Sequence, residues 1–141
     1  MSSLADTPRL AGVKVLVVER VPDVREIVTE ALEQYGATVM AVDSPVTALG
    51  LVKRERPDVL VSSLSMPEKE GYWLIRQVRS LPPDRGGNTP AVAFTGCTTP
   101  EDRLNALRAG FQTHVPKPAN LQEQAGAVAL LSLRREAVLA F

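Results

Sequence analysis

The residues whose types could do chemistry each follow a short apolar run: Glu19-Arg20, Ser62-Ser63, Thr95 and Lys117. A carboxylate beside a guanidinium, small hydroxyls and an ammonium are suited to ion pairing or to holding an anion. They are a poor set for an enzyme, because a serine hydroxyl with no base beside it is a weak nucleophile. His114 could answer to pH, but a half-buried strand histidine is the stronger reading. Cys97 could sense redox state, although a small residue at a strand end explains it better. One Cys and one His in the chain exclude an internal disulfide framework, a multi-Cys zinc site and a His-rich metal site. No G-x-G-x-x-G and no Gly-Lys-Ser/Thr loop follows a strand, which removes the usual nucleotide-binding classes.

These residues must be positioned by the elements around them. Val13 to Val18 is an apolar, β-branched run of the kind buried on both faces of a parallel sheet. Val24, Ile27, Val28, Ala31, Leu32 and Tyr35 recur with helical spacing, with Pro22 in the first turn and Gly36 at the end. Thr38 to Val42 reads as a second strand. Ser44-Pro45 then caps a helix that runs to about Arg56 and stops before Pro57. Asp58 to Ser62 is a third strand, and Gly71 to Ser80 a helix with Leu74, Ile75 and Val78 inward. Tyr72 and Trp73 flank its start, one packed and the other exposed. Pro82 to Pro90 is a turn-rich loop, followed by a strand over Ala91 to Phe94. Thr99 caps a fourth helix, with Pro100 in its first position, Leu104 and Leu107 facing inward and Gly110 closing it. Phe111 to Val115 is a weaker strand, and Leu121 to about Leu133 a helix with Leu121, Ala125, Val128 and Leu131 as its stripe.

Five strands alternating with five helices imply an α/β domain, a parallel sheet with helices on both faces. Ligands in such sheets bind beyond the carboxyl ends of the strands, where the residues named first stand. The chain of 141 residues, 45% of them hydrophobic, suits one domain with one layered core. We read 1–11 as an N-terminal tail, 12–133 as the domain and 134–141 as a C-terminal extension whose apolar residues have no assigned core. The 16 Lys+Arg balance the 16 Asp+Glu, which argues against nucleic acid and against a polybasic membrane anchor. There is no signal-peptide pattern and no span of about 18 apolar residues. The expected setting is cytoplasmic.

The strand-end motifs resemble those of response-regulator receiver domains. Val15 to Arg25 is similar to the opening of that family. Arg56 to Gly71 is similar to its phosphoacceptor strand and Met-Pro…Gly loop, here Met66-Pro67 and Gly71. Ala93-Phe94-Thr95-Gly96 resembles the segment carrying the signalling Thr, Ala109-Gly110-Phe111 the end of the fourth helix, and Lys117-Pro118 the Lys-Pro after the fifth strand. Together the motifs span roughly residues 12–132. The resemblance implies a flavodoxin-like (βα)5 fold of strand order 2-1-3-4-5, a role in two-component phosphorelay signalling, and a switch residue at His114. The long Pro82 to Pro90 loop and the Leu10-Ala11-Gly12-Val13 lead-in are similar to receivers fused behind hybrid histidine kinases.

The chain departs from the family where the family does its chemistry. Receivers carry an acidic pair after the first strand and a phosphoacceptor Asp after the third; the matching positions are Glu19-Arg20 and Ser63, while Thr95 and Lys117 are retained. Glu19, Arg20, Ser63 and Lys117 carry a net +1, where the family pattern carries about −2. Mg²⁺ is held by carboxylates and carbonyls, and two like charges 4 Å apart cost on the order of 4 kcal/mol at an effective dielectric of about 20. Arg20 is therefore expected to exclude Mg²⁺, either as an internal cation locking one state or as a solvated loop residue, with Glu19, Glu68 and Glu70 as candidate partners. Ser63 is either an alternative phosphoacceptor or, the favoured reading, a small residue left where the function has lapsed. Without a phosphoryl group, Lys117 is expected to pair with Glu19, and Thr95 to make a local hydrogen bond.

The expectation is a degenerate receiver that has lost phosphorylation, is not an enzyme, needs no cofactor or metal, and acts by protein–protein contact. Its partner would be a sensor kinase or another signalling protein, or a second copy through the helix 4–strand 5–helix 5 face. The alternative is an anion- or small-ligand-binding module using the positive pocket.

Overall fold

The computed structural model describes residues 10–64, 70–95, 99–116 and 125–132. In chain order these form β1 (Lys14–Val18), α1 (Pro22–Gln34), β2 (Thr38–Val42), α2 (Pro45–Glu55), β3 (Val59–Ser63) and α3 (Glu70–Arg79). A single 3-10 turn (Pro83–Arg85), β4 (Ala91–Thr95), α4 (Pro100–Ala109) and β5 (Thr113–Pro116) follow, then α5 over 125–132. The strands make one parallel sheet of order β2-β1-β3-β4-β5, the order the family resemblance implies.

Alternation along each strand divides the core into two layers. Val15 and Val17 of β1, Val59 and Val61 of β3 and Val92 of β4 face α1 and α5, meeting Val28, Leu32, Ala125, Val128 and Leu131. Leu16, Val18, Leu60, Ala91 and Ala93 face the other way and are covered by α2, α3 and α4 through Ala48, Val52, Leu74, Ile75, Val78 and Ala106. The expected stripe of α5 is buried at Ala125, Val128 and Leu131; Leu121 lies outside the described residues.

The helix caps form as their residue types dictate. Ser44 Oγ accepts from Thr47 N at 3.4 Å. Thr99 Oγ1 accepts from Asp102 N at 3.1 Å and donates to Asp102 Oδ2 at 2.7 Å, a reciprocal cap that satisfies an orphan donor of the first turn.

Three expectations need correction. Leu104 and Leu107, expected inward, are 44% and 45% exposed. The buried residue of α4 is Ala106, and Leu107 and Leu104 lie about 100° and 160° around the helix from it. A small residue at the contact lets α4 dock with its leucines outside. Ile27 is 56% exposed because the buried face of α1 centres on Val28, Ala31 and Leu32. Leu10, read as tail, is fully buried, and its N donates to Tyr35 O at 2.7 Å. Trp73 is exposed and Tyr72 half-buried, with the Arg76 guanidinium 5.9 Å from the Tyr72 ring centre.

At the amino-terminal edge of the sheet, Arg79 joins three segments. Its Nε donates to Gly110 O at 2.9 Å, its Nη1 to Gly87 O and Thr89 O at 3.0 and 2.7 Å, and its Nη2 to Gln112 Oε1 at 2.9 Å. Burial lowers the pKa of this guanidinium, yet an arginine stays charged at neutral pH. Gly110, at φ 127°, leaves room for it: a Cβ there would meet Arg79 Cγ at 2.8 Å.

Candidate functional site

The carboxyl edge of the sheet brings together the ends of β1, β3 and β4. Glu19 directly follows β1 and is 2% exposed. Its N donates to Val42 O at 3.0 Å, carrying the β1–β2 pairing one residue further. Its Oε1 accepts from Val21 N at 3.3 Å, so the carboxylate bends back over its own loop. Arg20, next in the chain, is exposed.

Arg25 in α1 holds this loop. Its Nη1 donates to Glu19 O at 3.0 Å and to Arg20 O at 3.4 Å. No role is expected of it from the sequence motifs alone. A signal was present, because a cation near a helix N-terminus opposes the dipole and wants a compensating acceptor.

Ser63 ends β3 and is 1% exposed; Ser62 before it is fully buried. Val18 pairs with Ser62, so one further step along both strands sets Glu19 beside Ser63, about 4.8 Å away across the sheet. Ser62 Oγ donates to Ser63 O at 3.3 Å. The start of α3 closes over this point. A Cβ on Gly71 would stand 2.6 Å from Ser63 O and 2.9 Å from Leu64 Cδ2, so glycine is required for the helix to approach. This is the physical content of the glycine in the Met-Pro…Gly motif, whose Met66-Pro67 lies outside the described residues.

On the other side, Ser63 pairs with Phe94. Thr95 ends β4 and pairs with Pro116, the residue before Lys117, while His114 pairs with Ala93. The backbone thus brings Glu19, Arg20, Ser63 and Thr95 to one edge. Lys117, Pro118, Gly96, Cys97, Glu68 and the extension 134–141 lie outside the described residues. Asp58 is at the opposite edge, as expected: its Oδ2 accepts from Lys14 N at 2.8 Å. Among the described residues no helix is long and apolar enough to cross a membrane.

Comparison with known proteins agrees with this geometry. The family profile of the response regulator receiver domain matches residues 15–129. The chain is 40% identical over 132 residues to an uncharacterised 14.6 kDa protein encoded in the sodA1 3′ region of Leptolyngbya boryana, covering 94% of this chain and 95% of that one. It is 34% identical over 112 residues to the response regulator MprA of Mycobacterium ulcerans, covering 79% of this chain and 47% of MprA. It therefore spans nearly all of the first relative and about half of the second. Among solved structures, the receiver domain of the Pseudomonas aeruginosa sensor histidine kinase PA1611, with a magnesium ion coordinated in its active-site cleft, superposes with a TM-score of 0.77 at 26% identity. That match covers 86% of this chain and 98% of the other. With the strand order, the two-layer core and the strand-end motifs in agreement, the chain belongs to the response-regulator receiver domain family.

Proposed function

We propose that this receiver domain signals in a two-component pathway without aspartyl phosphorylation, through contact with a protein partner. The observation that carries the reading is Ser63: a buried hydroxyl ends β3 at the position where the family resemblance expects a carboxylate nucleophile. Arg20 after β1 supports it. The magnesium that such domains use does not fit this donor set. The hard ion is held through one or two carboxylates, with carbonyls and waters completing its shell; of the positions where the family resemblance expects carboxylates only Glu19 carries one, followed by a guanidinium, and no group of three or more His, Cys, Asp or Glu among the described residues could hold a metal. In this reading Glu19, Arg20, Ser63, Thr95 and Lys117 are a fixed structural cluster, His114 is not driven by a phosphoryl group, and the domain is not an enzyme. The unit runs from the buried Leu10 to about residue 133, flanked by tails, in a cytoplasmic setting. A sensor kinase or another signalling protein is the partner, and residues of roughly 100–133 are a contact face.

The test is incubation with acetyl phosphate and Mg²⁺, read by intact mass. Wild type is expected to take up no phosphate, and the double variant Arg20→Asp/Ser63→Asp to gain an acid-labile phosphate. An acid-labile or acid-stable phosphate on wild type, at Ser63 or a nearby Asp, overturns the reading. The net positive charge supports a second reading, an anion-binding module. Thermal stabilisation by phosphate or sulfate but not by Mg²⁺ is its mark.

A further inference from the structure

The chain has no formal net charge, but its fold sorts the charges onto opposite faces of the sheet. On α1, Asp23, Glu26, Glu30 and Glu33 are all exposed. Steps of three, four and three residues put them within an arc of about 80°, in a stripe about 15 Å long. Arg25 is the base in this helix, and it is turned inward onto the Glu19 and Arg20 carbonyls, so it does not neutralise the stripe.

On the other face, α2 and α3 pack side by side and end at the same edge. Lys53 and Arg54 are in the last turn of α2, Arg76 in that of α3, and Arg85 closes the 3-10 turn. All four are exposed. Of the acids nearby, Glu55 is paired with Lys14 at 3.6 Å, which leaves Asp84 against four bases. This edge is also rigid. Arg79 holds the Gly87 and Thr89 carbonyls, and Arg56 donates to Asp84 O and, at 3.1 Å, to Lys53 O. A Cβ on Gly86 would meet Val52 Cγ1 at 2.8 Å, so the loop sits directly on α2. A cationic surface fixed in advance loses little conformational freedom on binding.

We infer that the basic edge formed by the ends of α2 and α3 docks the acidic stripe on α1 of a second copy of this chain. The occupant is chosen by charge: four exposed carboxylates in a row meet four exposed bases, and a zero net charge lets copies approach without long-range repulsion. Because the two surfaces lie on opposite faces of the sheet, the contact is head-to-tail. It is separate from the helix 4–strand 5–helix 5 face, and it does not depend on whether the strand-end cluster is phosphorylated.

Sedimentation velocity of the full chain at about 20 mM and about 300 mM salt tests this, since surface charge pairs are screened over that range. Wild type is expected to exceed the 15.2 kDa monomer mass with rising concentration at low salt, its dissociation constant weakening roughly tenfold or more at high salt. Lys53→Glu/Arg54→Glu and Glu26→Lys/Glu30→Lys are each expected to be monomeric at both salts. Reversing all eight charges, Asp23, Glu26, Glu30 and Glu33 to Lys with Lys53, Arg54, Arg76 and Arg85 to Glu, keeps zero net charge with the faces exchanged, and is expected to restore association. Far-UV circular dichroism checks that each variant is folded. A wild type that is monomeric at low salt overturns the second copy as occupant, in favour of an acidic segment of another protein. Association that survives either double reversal, or that the eightfold exchange does not restore, overturns the assignment of these surfaces.

Discussion

Replacing Arg79 by methionine keeps an unbranched, flexible stem and removes the guanidinium, and with it four hydrogen bonds of 2.7 to 3.0 Å to Gly110 O, Gly87 O, Thr89 O and Gln112 Oε1. Hydrogen bonds to a charged group contribute about 1.5–3 kcal/mol each when measured singly. Two effects keep the total below the sum. The acceptors are partly reachable by water, and removing the charge ends the burial penalty that lowers the Arg79 pKa. A net loss of about 3 kcal/mol is expected, which for a domain of this size lowers Tm by about 10 °C. Arg79→Lys keeps the charge but not the fork of donors, and should lose about 2 kcal/mol. Urea unfolding followed by circular dichroism measures both, with an unchanged m-value indicating a pure stability effect. A loss under about 1 kcal/mol for Arg79→Met would refute the reasoning. The loop would then be held by its own turns, Arg85 N and Gly87 N to Pro82 O and Thr89 Oγ1 to Gly86 O.

Gly71→Ala forces a Cβ against Ser63 O and is expected to cost about 2 kcal/mol in urea unfolding, with the chemical shift of the Ser63 amide moved. Arg25→Met frees the Glu19 and Arg20 carbonyls and is expected to cost about 1–2 kcal/mol, with faster amide exchange over 19–21 than at the far edge of the sheet. Thr99→Ala removes both bonds to Asp102 and is expected to cost about 1 kcal/mol, read as a Tm decrease of a few degrees.

The regular elements were legible because their signals are local. Ser44 and Thr99 cap helices by short-range geometry, and the β-branched runs at Val15–Val18 and Val59–Val61 have no face that tolerates water. The site edge was legible from the alternation of strands and helices, since a parallel sheet puts every strand end on one side. What escaped depends on distance through space. Spacing identified Leu104 and Leu107 as a helical pair, but the contact at Ala106 decided which side of α4 met the sheet. Arg79 takes partners up to 33 residues away, and nothing near it in the chain announces them. Leu10 precedes the first strand without periodicity, and only the turn back to Tyr35 shows that it is core. Gly71 carried a motif signal, whereas its reason, the Ser63 carbonyl, is a tertiary contact.

The sheet ends on one side in β5, four residues long and finishing in Pro116. An edge strand offers unpaired amides to any extended chain that meets it, and this is how soluble sheets grow into aggregates. Proline has no amide hydrogen to offer, so a strand approaching β5 finds few donors over a run too short for a stable ladder. A domain whose proposed work is to meet other chains through side-chain charge is thereby protected, on this edge, from joining them through its backbone.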